Sequence, residues 1–299
     1  MSKVVVTGGA GFIGSHTTRG LLDAGYEVHV IDDLSDGKQE RVPEGAVLHV
    51  ADIRDPSIID ICKGATALFH LAALPRVPYS VEYPKESNEV NVTGTLAVLV
   101  AARDAGIKKV IFSSSSAVYG NQESLPLVET LPVYPDNPYG LHKSVSEQYM
   151  RLFTELYGVQ TVCLRYFNVY GPGMDPEGGY ALAIPRFLLL HAKGEPLTIT
   201  GDGTQTRDFI HVQDVVRAQI RACECEAVGK GEVINIGSGR SISMNELAAL
   251  IGGECTYIPA RPEARHMLAD ITRAKELLGW EPQLRLEDSI EALRREYTP

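Results

Sequence analysis

The chain has few basic side chains, a single tryptophan and no long apolar run. Its 299 residues include 28 lysines and arginines against 38 aspartates and glutamates, and the formal net charge is −10. A surface of this kind offers no general positive field to a phosphate backbone, which argues against a nucleic-acid partner but leaves room for an anionic small molecule held by a few arginines. No apolar segment reaches the roughly 18 residues of a membrane span, and residues 1–6 lack the apolar core of a signal peptide. We therefore expect no membrane partner.

Cysteine is also sparse. The five cysteines are odd in number and scattered, so they form no disulfide framework; they are Cys62, Cys163, Cys223, Cys225 and Cys255. No four-ligand zinc spacing occurs among them. These features predict a cytoplasmic protein without a metal.

Glycine and proline, 28 and 17 residues, are too few for a collagen-like or low-complexity chain. At about 150 residues per domain the length predicts two lobes with a cleft between them. The composition changes near residue 165, where glycine and proline become frequent. We expect a cofactor lobe over residues 1–165, which also receives a strand and helix from about 205–228, and a substrate lobe over 166–299.

The first half alternates short apolar runs with segments of helical period. The apolar runs predict buried parallel strands at 4–6, 28–31, 47–50, 67–71, 110–112 and 161–164. Helices are predicted at 12–24, 89–105 and 139–157, the last with an apolar stripe formed by Leu141, Val145, Tyr149, Leu152 and Leu156. This alternation predicts an α/β doubly wound Rossmann sheet with a smaller α/β lobe after it, and a site at the carboxyl ends of the strands. The residues 243–246 form a capping-box signature for a further helix.

A glycine cluster follows the first strand and opens the first helix. Gly8, Gly11 and Gly14 allow a tight turn, close approach of the backbone to a pyrophosphate and close helix packing, and Phe12 and Ile13 begin the helix on which the phosphates would lie. The second strand ends in two acidic residues.

These two residues, Asp32 and Asp33, come about 20 residues after the glycines, where a carboxylate can bind the adenosine ribose and repel a 2′-phosphate. The pattern predicts NAD as the cofactor. After the third strand, Asp52 is expected either to bind the adenine amino group, with Ile53 covering the ring, or to cap the following segment.

Tyr139 and Lys143 lie four residues apart at the start of the long helix and so share a face. A nearby ammonium, helped by a positive nicotinamide, would lower the pKa of the phenol and make it a usable base. The serines at 113–116 follow a strand and place hydroxyl groups at the same edge of the sheet.

Together these segments resemble the extended short-chain dehydrogenases/reductases of the nucleotide-sugar branch, most of all the UDP-glucose 4-epimerases. The resemblance spans nearly the whole chain; it is carried by TGGAGFIGS at 7–15, HLAA at 70–73, SSSSAVYG at 113–120, YGLHK at 139–143, RYFNVYGP at 165–172, RDFIHV at 207–212 and LLGW at 277–280.

The resemblance implies that Ser115 is the catalytic serine, Tyr139 the base and Lys143 the residue that lowers its pKa and binds the nicotinamide ribose. Ser116 is the neighbouring alternative to Ser115. Further NAD contacts are implied at Leu34, Ser35, Gly37, Leu71, Ala72, Ala73, Ser113 and Tyr166. Related dehydratases and decarboxylases carry an acidic residue beside the catalytic hydroxyl, where this chain has Ser116 and Ala117, so hydride removal and return is favoured over dehydration.

For the substrate, the resemblance implies diphosphate contacts from Asn168 and Arg207, with Arg261 and Glu263 holding the phosphate and the uridine ribose. Arg265 is a further candidate, balanced against a plain surface arginine. Met267 falls where a bulkier residue would exclude N-acetyl sugars, and an adaptable methionine predicts some activity on UDP-N-acetylglucosamine.

The expected function is that of an NAD-dependent isomerase that interconverts UDP-glucose and UDP-galactose through a 4-keto sugar. The alternatives are another nucleotide-sugar 4-epimerase, acting on UDP-N-acetylglucosamine or UDP-glucuronate, a related dehydratase or decarboxylase, and a non-catalytic NAD sensor. Such sensors commonly lack the tyrosine and lysine pair. A homodimer is implied by the resemblance, through the helices predicted at 89–105 and 139–157.

Overall fold

The structure is a computed structural model that describes residues 1–176, 182–260 and 264–297. Its centre is a parallel sheet of seven strands. These are β1 (Lys3–Thr7), β2 (Glu27–Asp32), β3 (Val47–Val50), β4 (Ala67–His70), β5 (Lys109–Ser115), β6 (Gln160–Tyr166) and β10 (Lys230–Ile236). The predicted strands are confirmed.

The order across this sheet is β10-β6-β5-β4-β1-β2-β3. From β1 the chain winds outward through β2 to β3, and from β4 it winds the other way through β5 and β6. The order therefore reverses between β1 and β4, and in an open α/β sheet the crevice beyond the strand ends at such a point is where ligands bind. The predicted doubly wound fold is confirmed.

Helices cover both faces of the sheet. They are α1 (Phe12–Asp23), α2 (Ile58–Cys62), α3 (Val77–Glu82), α4 (Pro84–Asn88), α5 (Gly94–Asp104), α6 (Pro138–Tyr157), α8 (Val212–Glu224) and α10 (Thr272–Leu278), with a π turn at Glu89–Thr93 between α4 and α5. Successive strand residues point to opposite faces, so Val4 and Val6 join one apolar core and Val5 joins the other. Both faces are buried, as continuous apolar strands require.

Strand β3 differs from its prediction because it is an edge strand. Val47 and Val50 were expected to be buried, yet they are 46% and 63% exposed. Among the described residues the strand pairs with β2 alone, so its side chains are covered less completely.

The two ends of the apolar stripe predicted on α6 are exposed. Leu141 and Leu156 are 51% and 67% exposed, whereas Met150 and Phe153 of the same helix are buried against the core. The buried face of α6 also carries polar residues with internal partners, and Val145, Tyr149 and Leu152 lie between the two faces, half-buried, with Tyr149 packed against the core. The predicted stripe is therefore displaced from the centre of the buried face.

The rest of the residues that the structure describes form two small sheets and three helices around a separate apolar core. The strands are β7 (Asn168–Tyr170), β8 (Leu197–Thr200), β9 (Thr206–His211), β11 (Ser241–Ser243) and β12 (Cys255–Ile258), and the helices are α7 (Ala183–Ala192), α9 (Met244–Ile251) and α11 (Leu286–Tyr297). The sheets have the orders β11-β9-β7 and β12-β8. The capping box predicted for α9 is present, with Ser243 and Glu246 each bonded to the backbone of the other.

Between β9 and β11 the chain returns to the large sheet. Helix α8, within the 205–228 segment, packs on α1. The strand of that segment, β9, pairs with β7 and β11 instead, and the strand that extends the large sheet is β10, which follows α8. Among the described residues, no helix is both long enough and apolar enough to cross a bilayer.

Candidate active site

One cavity of about 1480 Å³ lies beyond the carboxyl ends of the parallel strands. Its volume exceeds the roughly 300–1,000 Å³ of a site for a single small ligand, so it has room for a dinucleotide together with a second molecule. The predicted site residues that line it are Gly8, Gly11, Phe12, Ile13, Gly14, Asp32, Asp33, Ser35, Gly37, Asp52, Ile53, Leu71, Ala72, Ala73, Ser113, Ser115, Tyr139, Lys143, Tyr166, Asn168, Arg207 and Met267.

Leu34 and Arg265 do not border this cavity. Arg261 and Glu263 lie outside the described residues.

The glycine turn brings three backbone segments into contact. Gly8 has φ +76°, and a Cβ atom there would lie 2.6 Å from the amide nitrogen of Ala72. A Cβ atom on Gly14 would lie 1.9 Å from the carbonyl oxygen of Gly8. Helix α1 has no side-chain cap at Gly11, so its first amide groups open onto the cavity and can receive a pyrophosphate.

Asp32 is buried at the end of β2. Its two carboxylate oxygens accept hydrogen bonds from the amides of Ala10 and Leu34, both at 2.9 Å. Burial raises the pKa of this carboxyl, and the two amide bonds oppose the rise. Each oxygen retains a lone pair that a ribose hydroxyl can use. Leu34, with φ 59°, contributes its backbone to this arrangement and not a side chain to the cavity wall.

Asp52 is held by Arg54. Its carboxylate accepts hydrogen bonds from the Arg54 amide at 2.8 Å and from Nε at 2.9 Å, and this pairing lowers the pKa of Asp52. The bond to the Arg54 amide closes a turn, but Asp52 does not cap helix α2, which begins at Ile58 after Ser57. Asp52 and Ile53 also border the cavity, so the adenine contact stays a prediction.

Ser115 and Tyr139 are brought together from β5 and α6. Ser115 ends β5, and its Oγ accepts a hydrogen bond from the Ala117 amide at 3.1 Å. Tyr139 lies in the first turn of α6, which Asn137 caps through the Gly140 amide at 2.9 Å. The Ser115 hydroxyl lies near enough to the Tyr139 phenol to oppose the effect of burial on the pKa of that phenol. A phenol and a hydroxyl thus face one ligand space, as the sequence predicts.

The pKa of Tyr139 does not follow the sequence expectation. Burial raises it to about 12, opposed by the hydrogen bond from Ser115. Lys143 Nζ lies 5.8 Å from the centre of the Tyr139 ring and donates to the Ser113 carbonyl oxygen at 2.7 Å. Desolvation of the phenolate therefore dominates in the protein alone. A lowered pKa needs additional positive charge, such as an oxidised nicotinamide.

The substrate-side residues are divided. Asn168 Nδ2 donates to the Asp208 carbonyl oxygen at 3.0 Å, and Arg207 donates to the Thr206 carbonyl oxygen at 2.9 Å; both border the cavity. Arg265 instead contacts Asp202 at 3.3 Å and its side chain is 64% exposed. Its predicted substrate contact is thus not part of this geometry.

Sequence reasoning missed Asn91, which shapes the wall after β4. This residue lies in the π turn, and its side chain bonds both the amide and the carbonyl oxygen of Leu74, at 2.8 and 3.0 Å. The signal was a polar residue inside an apolar helical segment.

His70 was also missed. Its ring bonds Thr7 at 2.8 Å and Thr95 at 3.0 Å, and burial lowers its pKa to about 3, so the ring is neutral. A histidine at the end of an apolar strand was the signal in this case.

Comparison with known proteins agrees with this geometry. Residues 4–237 match the NAD dependent epimerase/dehydratase family. A UDP-glucose 4-epimerase with UDP-glucose from Thermotoga maritima superposes with a TM-score of 0.93 at 40% identity, over 99% of this chain and 98% of that one.

Two similar structures act on other sugars by name. A UDP-N-acetylglucosamine 4-epimerase from Methanobrevibacter ruminantium M1, in complex with UDP-N-acetylmuramic acid, has a TM-score of 0.94 at 38% identity over 98% and 97% of the two chains. A UDP-glucuronic acid 4-epimerase from Bacillus cereus, with UDP-glucuronic acid and NAD, has a TM-score of 0.90 at 32% identity over 99% and 98%. Because the family match spans residues 4–237 and the similar chains are aligned over nearly their whole length, the chain belongs to the NAD-dependent epimerase/dehydratase family.

Proposed function

We propose that the protein is an NAD-dependent 4-epimerase that interconverts UDP-glucose and UDP-galactose. The observation that carries the proposal is the meeting of Ser115, Tyr139 and Lys143 with the glycine turn in one cavity. The positions after Ser115 are Ser116 and Ala117, so no carboxylate adjoins the catalytic hydroxyl in sequence. This arrangement suits hydride removal and return at C4 better than dehydration.

The residues that would hold NAD fit its parts. The open amides of α1 suit the pyrophosphate, Asp32 suits the adenosine ribose, and Lys143 and Tyr166 suit the nicotinamide end. Asp32 also disfavours a 2′-phosphate by charge repulsion. NAD, when bound, accepts a hydride from the sugar and returns it.

Tyr139 supplies the proton chemistry in this scheme. Its phenolate oxygen takes the proton of the sugar C4 hydroxyl while the C4–H bond is lost as hydride, which leaves a 4-keto sugar. Ser115 donates a hydrogen bond to the C4 oxygen as it becomes a carbonyl. After the sugar turns over, hydride returns to its other face and Tyr139 gives the proton back, with no net redox change.

The second part of the chain is proposed to bind the nucleotide diphosphate. Asn168 and Arg207 border the cavity at this end, and a few such donors can hold an anion although the chain has a net charge of −10. In this proposal residues 1–165 bind NAD and residues 166–299 bind the UDP-sugar.

A UDP-N-acetylglucosamine 4-epimerase is the second candidate function. Met267 borders the cavity and is flexible enough to leave space beside the sugar C2 group. The similar structure from Methanobrevibacter carries that activity in its name. A UDP-glucuronate epimerase would share the same catalytic residues.

The deciding experiment is incubation with a panel of UDP-sugars, with the C4 configuration followed by ¹H NMR and the cofactor released by denaturation identified by mass spectrometry. We expect interconversion of UDP-glucose and UDP-galactose, some turnover of UDP-N-acetylglucosamine, and NAD as the released cofactor. Loss of the sugar 6-hydroxyl would instead indicate a dehydratase, and loss of a sugar carboxylate would indicate a decarboxylase. Retained NAD binding without any reaction would indicate a sensor.

The side of α6 that carries Leu141 and Leu156 is proposed as a homodimer interface. Leu141 and Leu156 are more than half exposed, and a second copy of the same helix would bury them.

The absence of disulfides among the five cysteines fits the cytoplasm, which we propose as the compartment.

A further inference from the structure

A buried ion pair lies one helical turn beyond Lys143 on α6. Glu147 and Arg165 are each 3% exposed, and they pair through two hydrogen bonds, from Nε at 2.9 Å and from Nη2 at 2.7 Å. Burying two charges costs desolvation free energy that their attraction only partly offsets. No step of the proposed reaction uses this pair, so its place behind the catalytic lysine requires an explanation.

Two parallel ties join α6 to β5. Lys143 donates to the Ser113 carbonyl oxygen at 2.7 Å, and Ser114 Oγ donates to Glu147 Oε1 at 2.5 Å. Lys143 and Glu147 are four residues apart and share a helix face, while the two serines directly precede Ser115. The helix that carries Tyr139 is thereby fixed against the strand that carries Ser115.

Glu147 is also the negative charge in the surroundings of Lys143. The titratable groups around the ammonium are Tyr139, His142 and Glu147 on α6, His70 on β4, and Cys163 and Arg165 on β6. Burial lowers the pKa of both histidines and raises that of Cys163 and Tyr139, so these four are neutral near pH 7.

Lys143 itself is strongly affected by burial, which lowers its pKa to about 8. The attraction of Glu147 is the largest influence that opposes this decrease. Without that carboxylate, the ammonium would face neutral groups and the Arg165 cation.

We propose that Glu147, held in place by Arg165, is a positioning residue that keeps Lys143 charged and fixes α6 against β5. The expected effect on activity rests on the proposed function, whereas the expected effect on Lys143 itself does not. The test therefore reads the lysine directly.

The experiment follows the ¹³Cε shift of Lys143 against pH in ¹³C-lysine-labelled protein with its bound cofactor, assigned with Lys143→Met. Because Glu147→Gln leaves Arg165 unpaired, the principal variant is Glu147→Gln with Arg165→Met, which removes both charges and retains side-chain volume. We expect the titration midpoint of Lys143 to fall, because the Glu147 carboxylate raises the pKa of Lys143 more than any other neighbouring charge. The alkaline limb of kcat, where charged Lys143 is lost, should move to lower pH with it.

Ser114→Ala is the matched control, since it removes a hydrogen bond to Glu147 and leaves the charge. Its Lys143 midpoint should match wild type. An unchanged midpoint in the folded double variant would overturn the inference and reduce the pair to a structural role. A lowered midpoint without any epimerase activity in wild type would support the inference and contradict the proposed function.

Discussion

At the scale of single residues, Tyr139 has a pKa too high for a base near neutral pH unless its neighbours lower it. Burial raises its pKa to about 12, so removal of its proton depends on the Ser115 hydrogen bond and on positive charge delivered to the site. The phenol oxygen therefore has a role that ring packing cannot replace.

Tyr139→Phe should reduce kcat for UDP-galactose by about 10²- to 10⁴-fold, the usual contribution of general acid–base catalysis. Bound NAD should be retained, because the glycine turn and Asp32 are unaffected. Tyr134→Phe, at a side chain 77% exposed, is the control. Near wild-type turnover by the Tyr139 variant would refute the assignment.

Gly8 permits a second prediction, because both its conformation and its surroundings exclude a side chain. Gly8→Ala should lower the unfolding free energy by more than the roughly 1–2 kcal/mol of a left-handed conformation, and should reduce NAD content. Gly25→Ala is matched to it, since Gly25 has φ +85° and no heavy atom within 4 Å of an added Cβ. Thermal unfolding and released NAD measure the difference. Equal effects in the two variants would show that contact with Ala72 is unimportant.

At the scale of elements, α6 buries polar residues beside apolar ones and leaves two of its leucines exposed. Its inner side carries His142, Lys143, Ser146 and Glu147, all buried, with partners that serve the site. Periodicity assumes that apolar residues seek the core, and here catalytic and positioning groups occupy that side instead. The two exposed leucines are left for another surface to cover.

Leu156→Asp should convert the proposed dimer to a monomer, because a carboxylate in a self-complementary interface is duplicated by symmetry. Light scattering after size-exclusion chromatography measures the mass. Leu284→Asp, at an exposed leucine away from α6, should leave the mass unchanged. A wild-type protein that is monomeric at every concentration would contradict the proposal.

The strands and the glycine turn were predictable because each rests on local sequence. A run such as residues 4–6 is apolar on both faces, and the turn after it has a steric requirement that few residues meet. The edge position of β3 was not predictable, since exposure there depends on which strand lies beside it. The contacts of Asn91 and Glu147 were not predictable for a similar reason, because their partners are distant in sequence.

At the scale of the whole molecule, Asp208 connects segments that are far apart in the chain. Its buried carboxylate accepts hydrogen bonds from the Ser238 amide and hydroxyl, both at 2.7 Å, and from the amides of Gly239 and Ala269, both at 3.1 Å. Arg207 directly precedes Asp208 in β9, and Met267 lies two residues before Ala269, whose amide Asp208 holds. Asp208 thus supports, from behind, the end of the cavity that we propose binds the UDP-sugar.

Asp208→Asn should raise KM for the UDP-sugar by about 10- to 100-fold, because an amide NH₂ group cannot accept from these donors. NAD content should remain that of wild type. Asp202→Asn, at a carboxylate 63% exposed, is the control. Equal loss of NAD and UDP-sugar binding would show general destabilisation instead of a local effect.

The path of the chain constrains how ligands enter. After leaving for the small sheets, the chain returns to the large sheet as α8 and β10 and returns again as α10, which packs on both. A rigid rotation of the small sheets relative to the large sheet would require all of these connections to bend at the same time. Opening by a single hinge is therefore disfavoured. Exchange of sugar or cofactor should depend instead on the loops at the cavity mouth. Substitutions in these loops should then change the release rates more than substitutions in the sheets.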